Sequence, residues 1–139
     1  MKVETYIFLE GRTEEALDFY AKAIGAKVEM IMRYSDSPDP VPPQMLPPGG
    51  ASKVMHASFM VGDTRIMASD GHVQGEPNFD SFSLGITVAN AAEADRAFNA
   101  LLANGGEVRM PLQKTFFSPR FGMLRDKFGV GWMVLVPQQ

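Results

Sequence analysis

The chain has 139 residues, enough for one domain with a real core. A hydrophobic content of 45%, a net charge of −3 and a pI of about 5.3 are ordinary for a soluble globular protein, and they argue against a surface built for nucleic acid or anionic membrane. With no cysteine, disulfides, zinc–thiolate sites and thiol nucleophiles are excluded. The opening MKVETYIFLEGR carries Glu4 and Glu10 too early for a secretory signal, and no run reaches the ~18 apolar residues of a membrane span, so a cytoplasmic protein is expected.

Val3 to Leu9 is a β-branched and aromatic strand, expected to be buried on both faces. Thr13 is placed to cap a helix whose first turn holds Glu14 and Glu15, and Gly25 stops it. Within that helix Ala16, Leu17, Tyr20 and Ile24 recur at spacings of three and four and mark one apolar face. Val28 to Tyr34 is the next strand. Residues 36–50 hold six of the ten prolines and form a long loop, either a loose insertion or a lid. Lys53 to Val61 and Thr64 to Ser69 make a hairpin, and 71–80 is a polar connector. Phe82 to Val88 is a strand, and Asn90 caps a helix from Ala91 to Leu102. Glu107 to Met110 is a short strand, and Pro111 to Pro119 is a loop. Phe121 to Arg125 and Trp132 to Val136 form a final hairpin.

This order repeats itself. Residues 14–30, EEALDFYAKAIGAKVEM, match residues 92–110, AEADRAFNALLANGGEVRM, with two residues inserted in the second copy. The fold class is therefore α+β, two tandem βαβββ modules (1–70 and 81–139) in one domain, each a curved mixed sheet with its helix packed outside. Two like halves are expected to leave a cleft between them.

The residues resemble the vicinal oxygen chelate superfamily, which includes glyoxalase I, extradiol dioxygenases, and fosfomycin- and bleomycin-resistance proteins. Four stretches carry the resemblance: Ala16-Leu17-Asp18-Phe19-Tyr20 with Gly25-Ala26; Ile66 to Asp70; Asn90 to Ala94 with Gly105-Gly106; and Arg125 to Trp132. The string MPLQKTFFSPRFGMLRDKFGVGW is most similar to the PhnB-like branch, whose members carry a demethylubiquinone-methyltransferase label. Methyl transfer has no support in the residues, because Gly11 stands alone where a cofactor-binding glycine-rich turn would follow the first strand.

The resemblance implies four inward positions that hold a divalent ion in metal-dependent relatives. By motif matching they fall at Thr5, Met67, Ser83 and Met133. None is a carboxylate or imidazole, so no metal and no other cofactor is expected at the family site. With Phe121 and Trp132 these residues are expected to line a ligand-binding cleft. His56, which the branch often carries, and Asp70 are the catalytic candidates. The plainer readings are a strand histidine bonded to a neighbour and an aspartate in a Ser-Asp-Gly turn. Arg33, Arg120 and Arg125 either grip an anionic substrate or, for at least two of them, form surface ion pairs or pair with Asp126. The resemblance also implies a homodimer. Three functions stay open: an enzyme using His56 and Asp70 or a metal, a drug-sequestering dimer of the bleomycin-resistance type, and a structural dimer with Met67 and Met133 filling the vacated metal position.

Overall fold

The computed structural model describes residues 1–73 and 75–139; Gln74, in the connector, lies outside the described residues. The chain divides into two compact units, Met1–Pro77 and Asn78–Gln139, and the division falls inside the polar stretch 71–80.

The first unit runs β1 (Thr5–Phe8), α1 (Thr13–Ile24), β2 (Lys27–Arg33), β3 (Val54–Val61) and β4 (Thr64–Ser69). Its sheet order is β1-β4-β3-β2, with β1 parallel to β4 and the other pairs antiparallel. The second unit repeats this with β5 (Leu84–Thr87), α2 (Ala91–Leu102), β6 (Glu107–Gln113), β7 (Phe121–Arg125) and β8 (Gly131–Leu135). Its order is β5-β8-β7-β6, with β5 parallel to β8. Each unit is thus an α+β module that joins its first strand to its last.

Each helix covers one face of its own sheet. Ala16, Leu17 and Tyr20 of α1 are buried with Ile7, Ala57, Phe59, Ile66 and Ala68, and the Tyr20 and Phe59 rings stack at 5.8 Å. Ala94, Ala97, Phe98 and Leu101 do the same for α2, above Leu124, Trp132 and Val134. Side chains alternate along a strand, so the residues between these occupy the opposite, helix-free face. Strand β1 departs here from the double burial expected of it: Ile7 is buried, whereas Phe8 is 54% exposed.

The two helix starts differ from each other. Asn90 caps α2 as its sequence foretells, accepting from Glu93 N–H at 2.9 Å, and the Glu93 carboxylate accepts from Ala89 N–H at 3.1 Å. Thr13 is not the cap of α1 but its first helical residue, fully buried. The oxygen that receives its N–H belongs to Asp70, at 3.0 Å, from the far end of β4. Gly25 ends α1 at φ 70°, a backbone conformation that side-chain-bearing residues enter only with strain.

Two further expectations change. The sheet continues past Met110 to Gln113, through Pro111. β6 is an edge strand, where a missing N–H removes no bond from a second neighbour. The proline-rich loop contains three 3-10 turns, Tyr34–Asp36, Pro43–Met45 and Gly50–Ser52, and a bond from Tyr34 N–H to Lys53 O at 3.1 Å closes its base. Among the described residues no helix is long and apolar enough to cross a membrane.

Candidate functional site

Register places the expected site residues on definite faces. In the first unit Tyr6 pairs with Met67, Met67 with Ser58, and Ser58 with Met30. These four side chains form one row across the helix-free face. Thr5 pairs with Ile66 and so shares the helix-covered face, opposite Met67. Because the strand period is two, moving the inward position by one residue exchanges Thr5 for Tyr6. In the second unit the matching row is Met110, Met123, Met133 and Gly85. Ser83, just before β5, is exposed and lies close to Gly131, where an added Cβ would come within 2.8 Å of its hydroxyl.

Neither row suits a divalent ion of the kind the fold family uses. One holds a phenol, a hydroxyl and two thioethers; the other holds three thioethers and a glycine. Such ions want imidazole and carboxylate, and among the described residues no three His, Asp or Glu side chains come together.

The aromatic candidates separate. Trp132 is 2% exposed on the helix-covered face, and its indole N–H donates to Asp126 at 2.9 Å, so it belongs to the core and not to an open wall. Phe121 is also buried, with Phe117 against it edge-on at 5.0 Å. Phe8, in contrast, stands on the open face, 5.1 Å from the Tyr6 ring.

His56 is half-buried, and its partner is Tyr6, whose hydroxyl lies 3.0 Å from Nδ1 with the ring centroids 5.5 Å apart. Asp70 is engaged elsewhere. Its two carboxylate oxygens accept from Thr13 N–H at 3.0 Å and Val54 N–H at 2.8 Å, which ties α1 and β3 to the end of β4. The two catalytic candidates are therefore not brought together. Tyr6 lies one residue from the position that motif matching selects; its juxtaposition with His56 depends on β1 and β3 flanking the same β4, a non-local fact.

The arginines divide too. Arg33 pairs with Glu14 at 2.6 Å and donates to Ser52 O at 2.9 Å, within a depression of about 350 Å³ that Asp70 also borders. Arg120 is held by Asp95 at 2.7 Å. Among the described residues none of the three arginines forms an ion pair with Asp126, whose oxygens accept from Phe128 N–H, Val130 N–H and the Trp132 indole.

Two βαβββ units of this topology define the vicinal oxygen chelate class. Glyoxalase/bleomycin-resistance and fosfomycin-resistance structures share the fold at 15% and 10% identity, a likeness of architecture alone. More narrowly, residues 1–135 match the model of the 3-demethylubiquinone-9 3-methyltransferase family, and the chain belongs to that family, in its PhnB-like branch. Protein YjdN of Escherichia coli is 32% identical, over 100% of this chain and 97% of its own. The crystal structure of protein PA1353 from Pseudomonas aeruginosa matches with a TM-score of 0.83 at 36% identity, covering 100% of this chain and 99% of that one. The PhnB protein from Bacillus cereus matches with a TM-score of 0.78 at 31% identity, covering 98% and 99%.

Proposed function

We propose that this protein binds a small organic ligand on the helix-free faces of its sheets, and that it does so without the chelated divalent ion of its wider fold class. The observation that carries this reading is the composition of the two rows, Met30–Ser58–Met67–Tyr6 and Met110–Met123–Met133–Gly85, which offer apolar and polarizable contacts where a chelate site needs imidazole and carboxylate. Methyl transfer, which the family's description suggests, gains no support from the fold. Each sheet has a single parallel pair, and nothing in it matches the doubly wound parallel sheet that cradles a nucleotide-like cofactor. We take the working form to be a cytoplasmic homodimer.

The experiment is metal analysis of the purified chain, joined to thermal-shift titrations with Ni²⁺, Mn²⁺, Zn²⁺ and Fe²⁺ after chelation. A ligand of the native state raises the melting temperature by mass action. No stoichiometric metal and no shift are expected, with upward shifts coming from organic compounds. One tightly held metal per chain would sink the reading.

The Tyr6–His56 pair favours a second, catalytic reading, in which the imidazole moves a proton and the phenol fixes its tautomer. Tyr6→Phe separates the two readings. It would leave ligand affinity nearly unchanged for a pure binder, and would lower turnover of any compound that the protein converts.

A further inference from the structure

The repeat makes it possible to ask what each unit puts at the same place. In both, the strand after the helix carries a β-bulge. The pairing runs Val28↔Phe59 then Met30↔Ser58 in the first unit, and Val108↔Leu124 then Met110↔Met123 in the second. The extra residue is Glu29 in one and Arg109 in the other. A bulge re-aims the side chain it carries.

In the first unit the bulge residue is answered. Arg65 of β4 meets Glu29 at 2.8 Å, a closed ion pair. Counting from the matched Met67 and Met133, Arg65 corresponds to Gly131 in the second unit. Counting from Ser58 and Met123, Met60 corresponds to Arg125 one pair on, across the bulge. The place where Arg65 stands is thus vacated by a glycine, and the space beside it is tight: a Cβ at Gly131 would come within 2.8 Å of Ser83 Oγ and 3.1 Å of Phe82 O. Around it Arg109 stands where the first unit has Glu29, and Arg125 where it has Met60, with Glu107 across the register from Arg125.

What results is a depression of about 480 Å³ within the second unit, lined by Arg109 and Arg125, by Phe79, Phe82, Met110 and Met123, and by one carboxylate, Asp80. The volume is that of a small-molecule site. Arg109 has only a loose contact with Glu107, at 3.9 Å, and among the described residues no carboxylate lies within ion-pair distance of Arg125. Guanidinium groups without a committed acid, next to rings and thioethers, suit a ligand that is charged at one end and flat and apolar at the other.

We propose that this depression is a binding site for small aromatic acids, with Arg109 and Arg125 gripping the carboxylate and Phe79, Phe82, Met110 and Met123 packing against the ring. The proposal rests on the ligand-binding reading above and names the ligand's chemical class.

The test uses the full chain and two probes of nearly equal shape, 1-naphthoate and its neutral counterpart 1-naphthamide, titrated by calorimetry. Naphthoate is expected to bind about tenfold or more tighter than the amide, the worth of a charge-assisted contact. It is expected to weaken between 50 and 500 mM NaCl, as salt screens exposed charge. Arg125→Gln and Arg109→Gln are each expected to weaken naphthoate about tenfold and leave the amide unmoved, with Arg96→Gln on α2 as a silent control. Equal affinity for acid and amide in the wild-type chain overturns the aromatic-acid site while leaving the general ligand reading in place, and needs no variant to fold. Failure of naphthoate to bind at millimolar concentration also overturns it. Failure of the ligand reading shows separately, as stoichiometric metal in the purified chain.

Discussion

Two helices of twelve residues, descended from one repeat, begin in different ways. α2 is capped from within its own sequence, by Asn90 and Glu93, whose partners lie three and four residues away. α1 is capped by Asp70, 57 residues distant, which also fixes Val54 at the start of β3. The second unit has its own buried aspartate, Asp126, but there the carboxylate organises the β7–β8 hairpin and anchors Trp132. One repeat spends its buried charge on a helix, the other on a turn. Sequence similarity between repeats therefore carries over the architecture, and leaves open which groups hold it.

The sharpest way to probe this difference is to remove each aspartate. Asp126→Ala strands three buried donors and is expected to cost about 4 kcal/mol; Asp70→Ala strands two and is expected to cost about 3 kcal/mol. Urea unfolding of the full chain reads both, and an Asp126 variant less damaging than its Asp70 counterpart would overturn the donor count as the deciding quantity. A smaller effect separates the two faces of the second sheet. Gly122→Ala drives a Cβ to 2.8 Å from Phe98 and 3.1 Å from the Leu112 backbone, and overpacking of that kind costs about 1–3 kcal/mol. At Gly85, on the helix-free face, a Cβ meets nothing within 4 Å, so Gly85→Ala is expected to be close to neutral in the same assay.

The smallest expected effect concerns the bulge pair. The hydrogen bond from Arg65 holds the Glu29 carboxyl below its ordinary value of 4.5, opposed by partial desolvation and helped by the arginine's charge. A depressed carboxyl pKa adds stability above the unfolded value, and that stability is lost as pH falls through the folded one. The melting temperature of Arg65→Ala is thus expected to lie slightly below wild type at pH 7 and to converge with it at pH 3. The pair is exposed, so a gap that persists at pH 3 would point to packing by the arginine stem.

Much of the fold was legible because helix periodicity and punctuation are local. Ala91 to Leu102 with Asn90 before it is the observed helix and cap, and Gly25 ends α1 as its lack of a Cβ allows. The β1 strand was recognisable, but not its faces: a four-residue run of Thr, Tyr, Ile and Phe has no polar alternation to say which side is covered. Motif matching put Thr5 forward, the strand offered no alternation to check it, and the register sets Tyr6 on the helix-free face. Asp70 stands as a catalytic candidate, or more plainly a turn residue, in the sequence, because nothing near it announces a helix 57 positions earlier whose first N–H it accepts. Trp132 looked like a wall of the site, and the buried carboxylate of Asp126 is what draws its indole into the core. The strands of the candidate site were thus legible; which side chains of those strands face outward is decided by pairing between segments far apart.

The irregular course of β6 has a consequence outside binding. An edge strand with an unbroken row of free N–H and C=O groups is a template on which another chain can add, and from there aggregation proceeds. β6 interrupts that row twice, by the bulge at Arg109 and by the missing donor of Pro111, with a second register shift before Gln113. The kink that turns an arginine toward the depression also keeps the rim of the sheet from acting as a seed.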